Sequence, residues 1–524
     1  MIDEADGRAE ATDRDPRVTG TLEVLPTAAE EGRPDDAAEF SGPYSLKTIL
    51  CWLAALLAIF VVLQAPGNRP AFFEPWGVFH YYLGAKYFNE IGPFDLYACA
   101  IAADGETSRV WDAETPVRDL RTYTTVRADT LSCPLERFTP QRWAAFVHDV
   151  SWITATSTPA DWASAVTDKG YNATPFFSVV FGQVAHVATV LRMDGERRRF
   201  IVFNLDVIFL AISIWIVWNS AGATIAVLTL VLALGFFGNF GRVGGNFGQY
   251  IWFPWLTLAI AAWRARRPAL SGAALGIATG FQMFPVFFAI PVLVSGLRSV
   301  VRRDRHGWMR PLVFSLSLVV AIGSCVVVGS ASGRGAGAWR AWQQKVAVHS
   351  VYLRGEVFNI GLPNLIAEAF SRDRASGDSY AEDTPHSLAR QAALGAHRSV
   401  WFLSAALLLV LMLAAVWSVP EEAVFALGFV PLYALLALSP YYYFSLALLP
   451  FMAVGIARDQ YRILVGMLAL LFAVNLEIWG GSYVSFSFGW HAVSQVLIAG
   501  FIVLAALVPL AGRHAAIAED PVAG

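Results

Sequence analysis

The groups able to do chemistry in this chain of 524 residues crowd into two hydrophilic stretches, 66–171 and 331–398. The first opens with Phe72–Cys99, FFEPWGVFHYYLGAKYFNEIGPFDLYAC, just after the first membrane-length apolar segment. Its candidate general bases are Glu74, His80, Asp95, Asp119 and Asp149. Each would have to reach a hydroxyl within hydrogen-bond distance, and each has a plainer role beside that one. Glu74 is an interfacial acid before a proline. His80 sits among aromatics. Asp95 follows Gly92-Pro93-Phe94, where turn formation is the simpler use. Asp119 lies between Arg118 and Arg121 and reads as their ion partner. Asp149, beside His148, reads as a polar-face pair on its helix.

Cations that could hold a phosphate are Lys86, Arg118, Arg121, Arg137, Arg142, Lys345, His349 and Arg354. Lys345 and His349 are four apart and share a helix face, which suits a lipid phosphate and bilayer headgroups equally. Asn172 begins an Asn-Ala-Thr sequon that Pro175 disfavours. Asn475 and Glu477, near the end of a late helix, are either functional or capping groups. Cys99 and Cys133 share the first stretch, where an oxidising compartment would allow a disulfide. Cys51 and Cys325 lie inside apolar segments as small core residues. Walker, HExxH, paired CxxC and dinucleotide patterns are absent from the sequence, so no metal and no cofactor is expected.

These residues are carried by a chain that is 56% hydrophobic and 15% charged, with mean hydropathy +0.50. Soluble domains carry about a quarter charged residues. Repeated apolar runs of about 18 to 25 residues imply an all-α integral membrane protein, since spanning segments must satisfy their own backbone. A net charge of −3 argues against nucleic acid as a partner. Residues 1–44 form an acidic tail, with 12 acids and four arginines in the first forty. The polytopic region covers 45–512, and 513–524 is a short tail.

The expected spans are 45–65, 172–191, 200–218, 222–239, 246–263, 268–297, 311–330, 399–418, 422–439, 441–456, 460–479 and 492–511, about twelve. Within the first loop, Trp76–Glu90 shows an aromatic stripe (Phe79, Tyr82, Leu83, Lys86, Tyr87) and predicts an amphipathic interfacial helix. Residues 140–153 predict a second. Arginines 192 and 197–199, then 302, 303, 305 and 310, mark cytoplasmic turns and turn both large loops outward. Arg264, Arg266 and Arg267 disagree, unless 268–297 is a hairpin broken at Phe284-Pro285.

The stretch WGVFHYYLGAKYFNEIGPFDLY, the turn GGNFGQY (244–250), the break FQMFP (281–285) and SPYYYF (439–444) together resemble polytopic glycosyltransferases of the C-type fold. The bacterial polyprenol-phosphate-mannose-dependent mannosyltransferases are the nearest group. The resemblance covers most of 45–510 through short motifs. It implies Tyr81, Tyr82, Asn172 and Gln249 at the substrate, beside the cations above. It implies a polyprenyl-phosphate sugar as donor, a lipid or glycan as acceptor, and a multi-pass protein of a bacterial inner membrane. Such enzymes carry an aspartate at the position of Gly77, a lysine at Gln282 and an asparagine at Ile251 or Trp252. A transferase would gather Glu74, His80 and the arginines on one outward cavity. The rivals are a transporter or flippase, and an inactive relative that binds lipid-linked glycans.

Overall fold

The computed structural model describes residues 75–191, 202–235, 246–304, 307–353, 359–371, 385–456, 461–468 and 495–509. The acidic tail, the span 45–65, Glu74, the arginines at 192 and 197–199, Arg354, Asn475, Glu477 and the final tail lie outside them.

The described chain is helical, with one small ribbon. Four short segments make the first element, α1: Pro75–Gly77, a π-wound Val78–Leu83, Gly84–Lys86 and, after a kink at Tyr87, Phe88–Ile91. π-turns inside α-helices recur at functional sites. This run differs from the expected interfacial helix. Between Pro75 and Ala100 only Asn89 is exposed. An element apolar on every side is buried rather than laid on a surface. Aromatics from later segments account for the difference by closing the face that was expected to be wet: Tyr97 packs on His80, and Tyr171 and Phe177 on Tyr81.

The rest of the first loop folds over α1. It comprises α2 (Leu96–Gly105), the ribbon β1 (Pro116–Arg118) and β2 (Thr125–Arg127), α3 (Pro140–Thr154) and α4 (Pro159–Ala165). The strands pair antiparallel with Val117 opposite Val126. Thr139 caps α3 by accepting from the Arg142 amide, and Pro140 suits its first turn. Cys99 and Cys133 are joined by a disulfide.

The apolar helices follow: α5 (Pro175–Val190), α6 (Leu205–Ala221), α7 (Ala223–Gly235), α8 (Trp252–Arg264), α9 (Pro268–Phe281), α10 (Ala289–Val301) and α11 (Met309–Ser330). The second loop holds α12 (Gly337–Leu353), α13 (Leu362–Phe370) and α14 (Pro385–Ala396). After it come α15 (Arg398–Val416), α16 (Phe429–Leu435, entered by a 3-10 turn) and α17 (Leu449–Met452, likewise). Phe284–Val301, Met309–Ser330 and Arg398–Val416 are long and apolar enough to cross a membrane, and seven more described helices are apolar but shorter. Val327, Leu403 and Trp215 are 72%, 72% and 67% exposed. Continuous apolar faces of this kind need a lipid environment.

The segment 268–297 is two helices, not one span. A Cβ on Gly272 would stand 2.1 Å from the Phe314 carbonyl oxygen, one on Gly276 2.5 Å from the Ala321 Cβ, and one on Gly280 2.5 Å from the Cys325 Sγ. Both series ascend together, so α9 and α11 run parallel along a row of small residues. A Cβ on Gly296 would instead meet Pro311, so α10 returns to where α11 begins. The reversal occurs at Gln282, in extended backbone, two residues before the expected break at Phe284-Pro285.

This hairpin sorts the bundle into two ends. At one, Arg310 donates to the Trp263 carbonyl at 2.9 Å and pairs with Glu421. Arg298 donates to the carbonyls of Val416 and Val419, and Arg264 to that of Val454. Arg264, Arg266 and Arg267 thus fall with Arg302, Arg303 and Arg310, and the disagreement over orientation disappears. At the other end lie the two large loops. Thr174 donates to the Gly280 carbonyl there. Asp206 at the head of α6 accepts from the Gly248 and Tyr250 amides there. α5 and α6 both start at the loop end.

Candidate functional site

The charged side chains at the loop end divide into structural pairs and one central cluster. Lys86 donates to Asp149 at 2.6 Å and to the Tyr82 hydroxyl at 3.0 Å, and Tyr87 donates to the same Asp149 oxygen at 2.9 Å. Burial pulls the Lys86 ammonium down, but Asp149 and Tyr82 more than restore it. Burial pushes Asp149 up, and His148, Lys86 and Tyr87 outweigh that and hold it low. Arg142 clamps Glu90 with two bonds and stacks over Tyr87, 4.5 Å from its centroid. These groups bolt α3 to α1. Lys86 and Asp149, candidates for phosphate binding and base, are spent on each other.

Asp119 does not pair with the guanidiniums of Arg118 or Arg121. It accepts from the Arg121 amide at 2.9 Å and the Thr122 hydroxyl at 3.0 Å, shaping the ribbon's turn. Asp95, read as a turn former, instead accepts from Arg121 at 2.6 Å and Arg137 at 2.9 Å. Arg118 is buried and donates to the carbonyls of Thr167 at 2.7 Å and Tyr123 at 2.8 Å. Asn172 sits in the turn into α5, its amide near the Lys169 and Gly170 carbonyls.

The cluster forms around Asp168, a residue that sequence reasoning passed over. Its Oδ2 accepts from the Trp76 indole at 3.0 Å and lies 3.8 Å from His80 Nε2. His80 Nδ1 faces the Trp76 carbonyl at 2.8 Å and must donate there, so neutral Nε2 accepts from the Tyr97 hydroxyl at 2.8 Å. Burial pulls His80 below its ordinary value, with the Asp168 charge opposing. Burial pushes Asp168 up, but His80, Lys169 and the Trp76 bond hold it at about 2. Its side chain keeps 27% exposure, against 3% for His80.

The second loop reaches the same place. Lys345 is fully buried, donates to the Lys169 carbonyl at 2.9 Å and sits 4.6 Å over the Tyr123 ring. His349 meets the Tyr123 hydroxyl at 3.0 Å, and that hydroxyl also donates to the Lys169 carbonyl at 3.1 Å. Burial, then the Lys169 and Lys345 charges, pull His349 well down. The expected pairing of Lys345 with His349 is met in place but not in exposure, because Lys345 touches backbone rather than water.

Aromatics border the cluster. Tyr81 packs edge-on against Tyr171 and Phe177, and its hydroxyl lies by that of Tyr441. Tyr82 is buried between Phe203 and Phe247. Gln249 is buried in the turn that Asp206 holds. Gly77 faces this turn, and a Cβ on it would stand 2.0 Å from Asn246 Oδ1. A larger residue at 77 would have to push the Asn246 amide aside, since the Asn246 backbone stands 3.5 Å off.

Of the residues singled out from sequence, the structure brings together His80, Lys345 and His349, with Tyr81 at the margin and Arg118 behind. It sends Lys86, Asp119, Arg121 and Asp149 elsewhere. Among the described residues no group of three or more His, Cys, Asp or Glu is placed to hold a metal. Chemically the cluster offers one reachable carboxylate backed by a neutral imidazole, with cations beneath it. No family model, curated protein or solved structure matches the chain.

Proposed function

We propose that this protein is a membrane glycosyltransferase of the C-type fold, moving a hexose or pentose from a polyprenyl phosphate to a lipid or glycan hydroxyl, with Asp168 as base. The observation that carries it is the partly exposed Asp168 carboxylate at the meeting point of both large loops, at the end of the bundle opposite the arginines. Arginine-rich ends lie in the cytoplasm, and the Cys99–Cys133 bond belongs to an oxidising compartment. Both point the cluster to the extracytoplasmic side of a bacterial inner membrane, where lipid-linked sugars would enter between apolar helices.

In this reaction the acceptor oxygen bonds to the anomeric carbon, the carbon–phosphate oxygen bond breaks, and the phosphate leaves with the electron pair. The hydroxyl proton goes to an Asp168 oxygen. A carboxylate held at about 2 is a weak base toward a resting hydroxyl. It accepts the proton as the new bond forms and the hydroxyl turns acidic. Its low value keeps it ionised and ready at any working pH. His80 and Trp76 fix its orientation, Lys169 adds positive charge near the departing phosphate, and Lys345 positions the Lys169 backbone. Tyr81 and Tyr441, both partly exposed, offer ring edges and hydroxyls to a sugar, with buried Tyr171 packed behind Tyr81.

The test is transfer from a polyprenyl-phosphate sugar by purified protein. Asp168→Asn should lower turnover by about 10²–10⁴-fold, the usual worth of a positioned base, and His80→Gln by less, with the donor KM little changed. Full activity of Asp168→Asn would remove it as base and return the role to Glu74. No transfer by the folded wild type, together with retained binding of the lipid donor, would favour the inactive relative.

A further inference from the structure

A second charged arrangement at the loop end is not used by the Asp168 centre. Asp95 is buried, with a side-chain exposure of 5%, and its two oxygens are taken by different guanidiniums, Arg121 and Arg137. A guanidinium has five N–H donors. Arg121 gives one to Asp95 through a terminal nitrogen and lies 5.4 Å from the Phe94 ring; Arg137 also gives one. Both remain about half exposed, at 53% and 42%. Their other donors face solvent.

A third guanidinium stands behind them. Arg334 donates to the carbonyls of Phe88, Asn89 and Glu90. Burial, then the Arg137 charge, pull it below the usual arginine range. Arg121, Arg137 and Arg334 therefore share the Asp95 carboxylate, since Glu90 is clamped by Arg142 and only adds its field at Arg334. Cations outnumber carboxylates here even with Asp119 at the Arg121 amide. Like charges held this close repel, and that repulsion is relieved when an anion docks between them. Planar guanidinium forks on neighbouring oxygens of one carboxylate suit the oxygens of a phosphate.

The disulfide sets this geometry. Asp95 lies four residues before Cys99, and Arg137 four residues after Cys133, so the bond ties the carboxylate's segment to that of one guanidinium. The short 3-10 turn Leu135–Arg137 has no buried residue of its own to anchor it.

We infer that Arg121 and Arg137, held side by side on Asp95, form a binding site for a phosphate-bearing ligand, separate from the Asp168 centre and independent of whether sugar transfer occurs there. The phosphate comes either from a soluble group or from an anionic lipid headgroup.

Full-length protein in phosphatidylcholine nanodiscs, titrated with inorganic pyrophosphate, tests it. Wild type should bind saturably and more weakly as salt rises. Arg121→Gln with Arg137→Gln should bind at least about tenfold more weakly. Arg121→Gln alone, which leaves the buried Asp95 its bond to Arg137, should show part of that loss, with its unfolding midpoint measured alongside to confirm the fold. Reducing the disulfide should weaken binding by wild type but leave the double variant's residual binding unchanged. Repeating the titration in discs containing phosphatidylglycerol separates the sources: competition assigns a lipid headgroup, and unchanged affinity assigns a soluble phosphate. No saturable binding by wild type, or equal binding by the double variant, overturns the site.

Discussion

Asp168 owes its surroundings to residues far off in the chain. Trp76 is 92 positions away, and Lys345 comes from the other loop. Its own neighbours, Thr167 and Lys169, announce nothing, so the carboxylate was invisible where His80, Lys345 and His349 were legible. The signal available was the run Asp168-Lys169-Gly170-Tyr171-Asn172, charged residues held right at the re-entry to the membrane. His80, buried, and His349, partly buried, make a pH prediction at this scale. His80 and His349 are both held below 6.5 by burial. Just below 6.5 the unfolded chain binds protons that the folded chain refuses, so folded-state stability rises with pH through that window and falls on acidification. The thermal midpoint of purified protein should drop from about pH 7 to about pH 5, and His349→Gln should flatten part of that drop. A midpoint that climbs on acidification would contradict the burial of these rings.

The row Gly272, Gly276, Gly280 decides how close α9 comes to α11. At Gly272 the obstacle to a side chain is the Phe314 backbone oxygen, which cannot rotate aside. Gly272→Ala should therefore destabilise the bundle by about 1–3 kcal/mol, the range for overpacking a tight contact, read as a lowered unfolding midpoint in detergent. Gly323→Ala, with open space around it, is the matched control and should change little. The long apolar windows at 311–330 and 399–418 were plain in the sequence, and their helices are Met309–Ser330 and Arg398–Val416. Phe281 to Pro285 was also visible as a break. The small-residue row beside it was not read, although four-residue glycine spacing is a packing signal in apolar segments. Reading it would have shown α9 as a separate element, since its glycines face one neighbour and stop at Gly280. The stripe on α1 misled for the opposite reason: periodicity tells which residues share a face, not whether a loop later covers the remaining face.

For the molecule as a whole, the α9–α10 hairpin sets which loops share a side. Arg267 and Arg303, on opposite sides of two helices in sequence, come out at the same end. Cysteines placed at Arg267 and Arg303 should both resist a membrane-impermeant maleimide in intact cells and react after permeabilisation, while one at Thr122 should react at once. In a Cys51→Ala parent the native background is low among the described residues, as Cys99 and Cys133 are bonded and Cys325 is buried. Labelling of only one of the two arginine positions would undo the hairpin. Arginine counting alone could not reach this arrangement. It assigns sides only after the spans are known, and a 30-residue apolar run hides whether the chain crosses once or turns back.

The contact between Gly77 and Asn246 ties two distant stretches of the chain together. A side chain entering at 77 meets the Asn246 amide oxygen first, while the Asn246 backbone stands 3.5 Å away, so it is the amide that must turn aside. The two positions therefore share one small volume: what a side chain at 77 would occupy, the Asn246 amide has to give up.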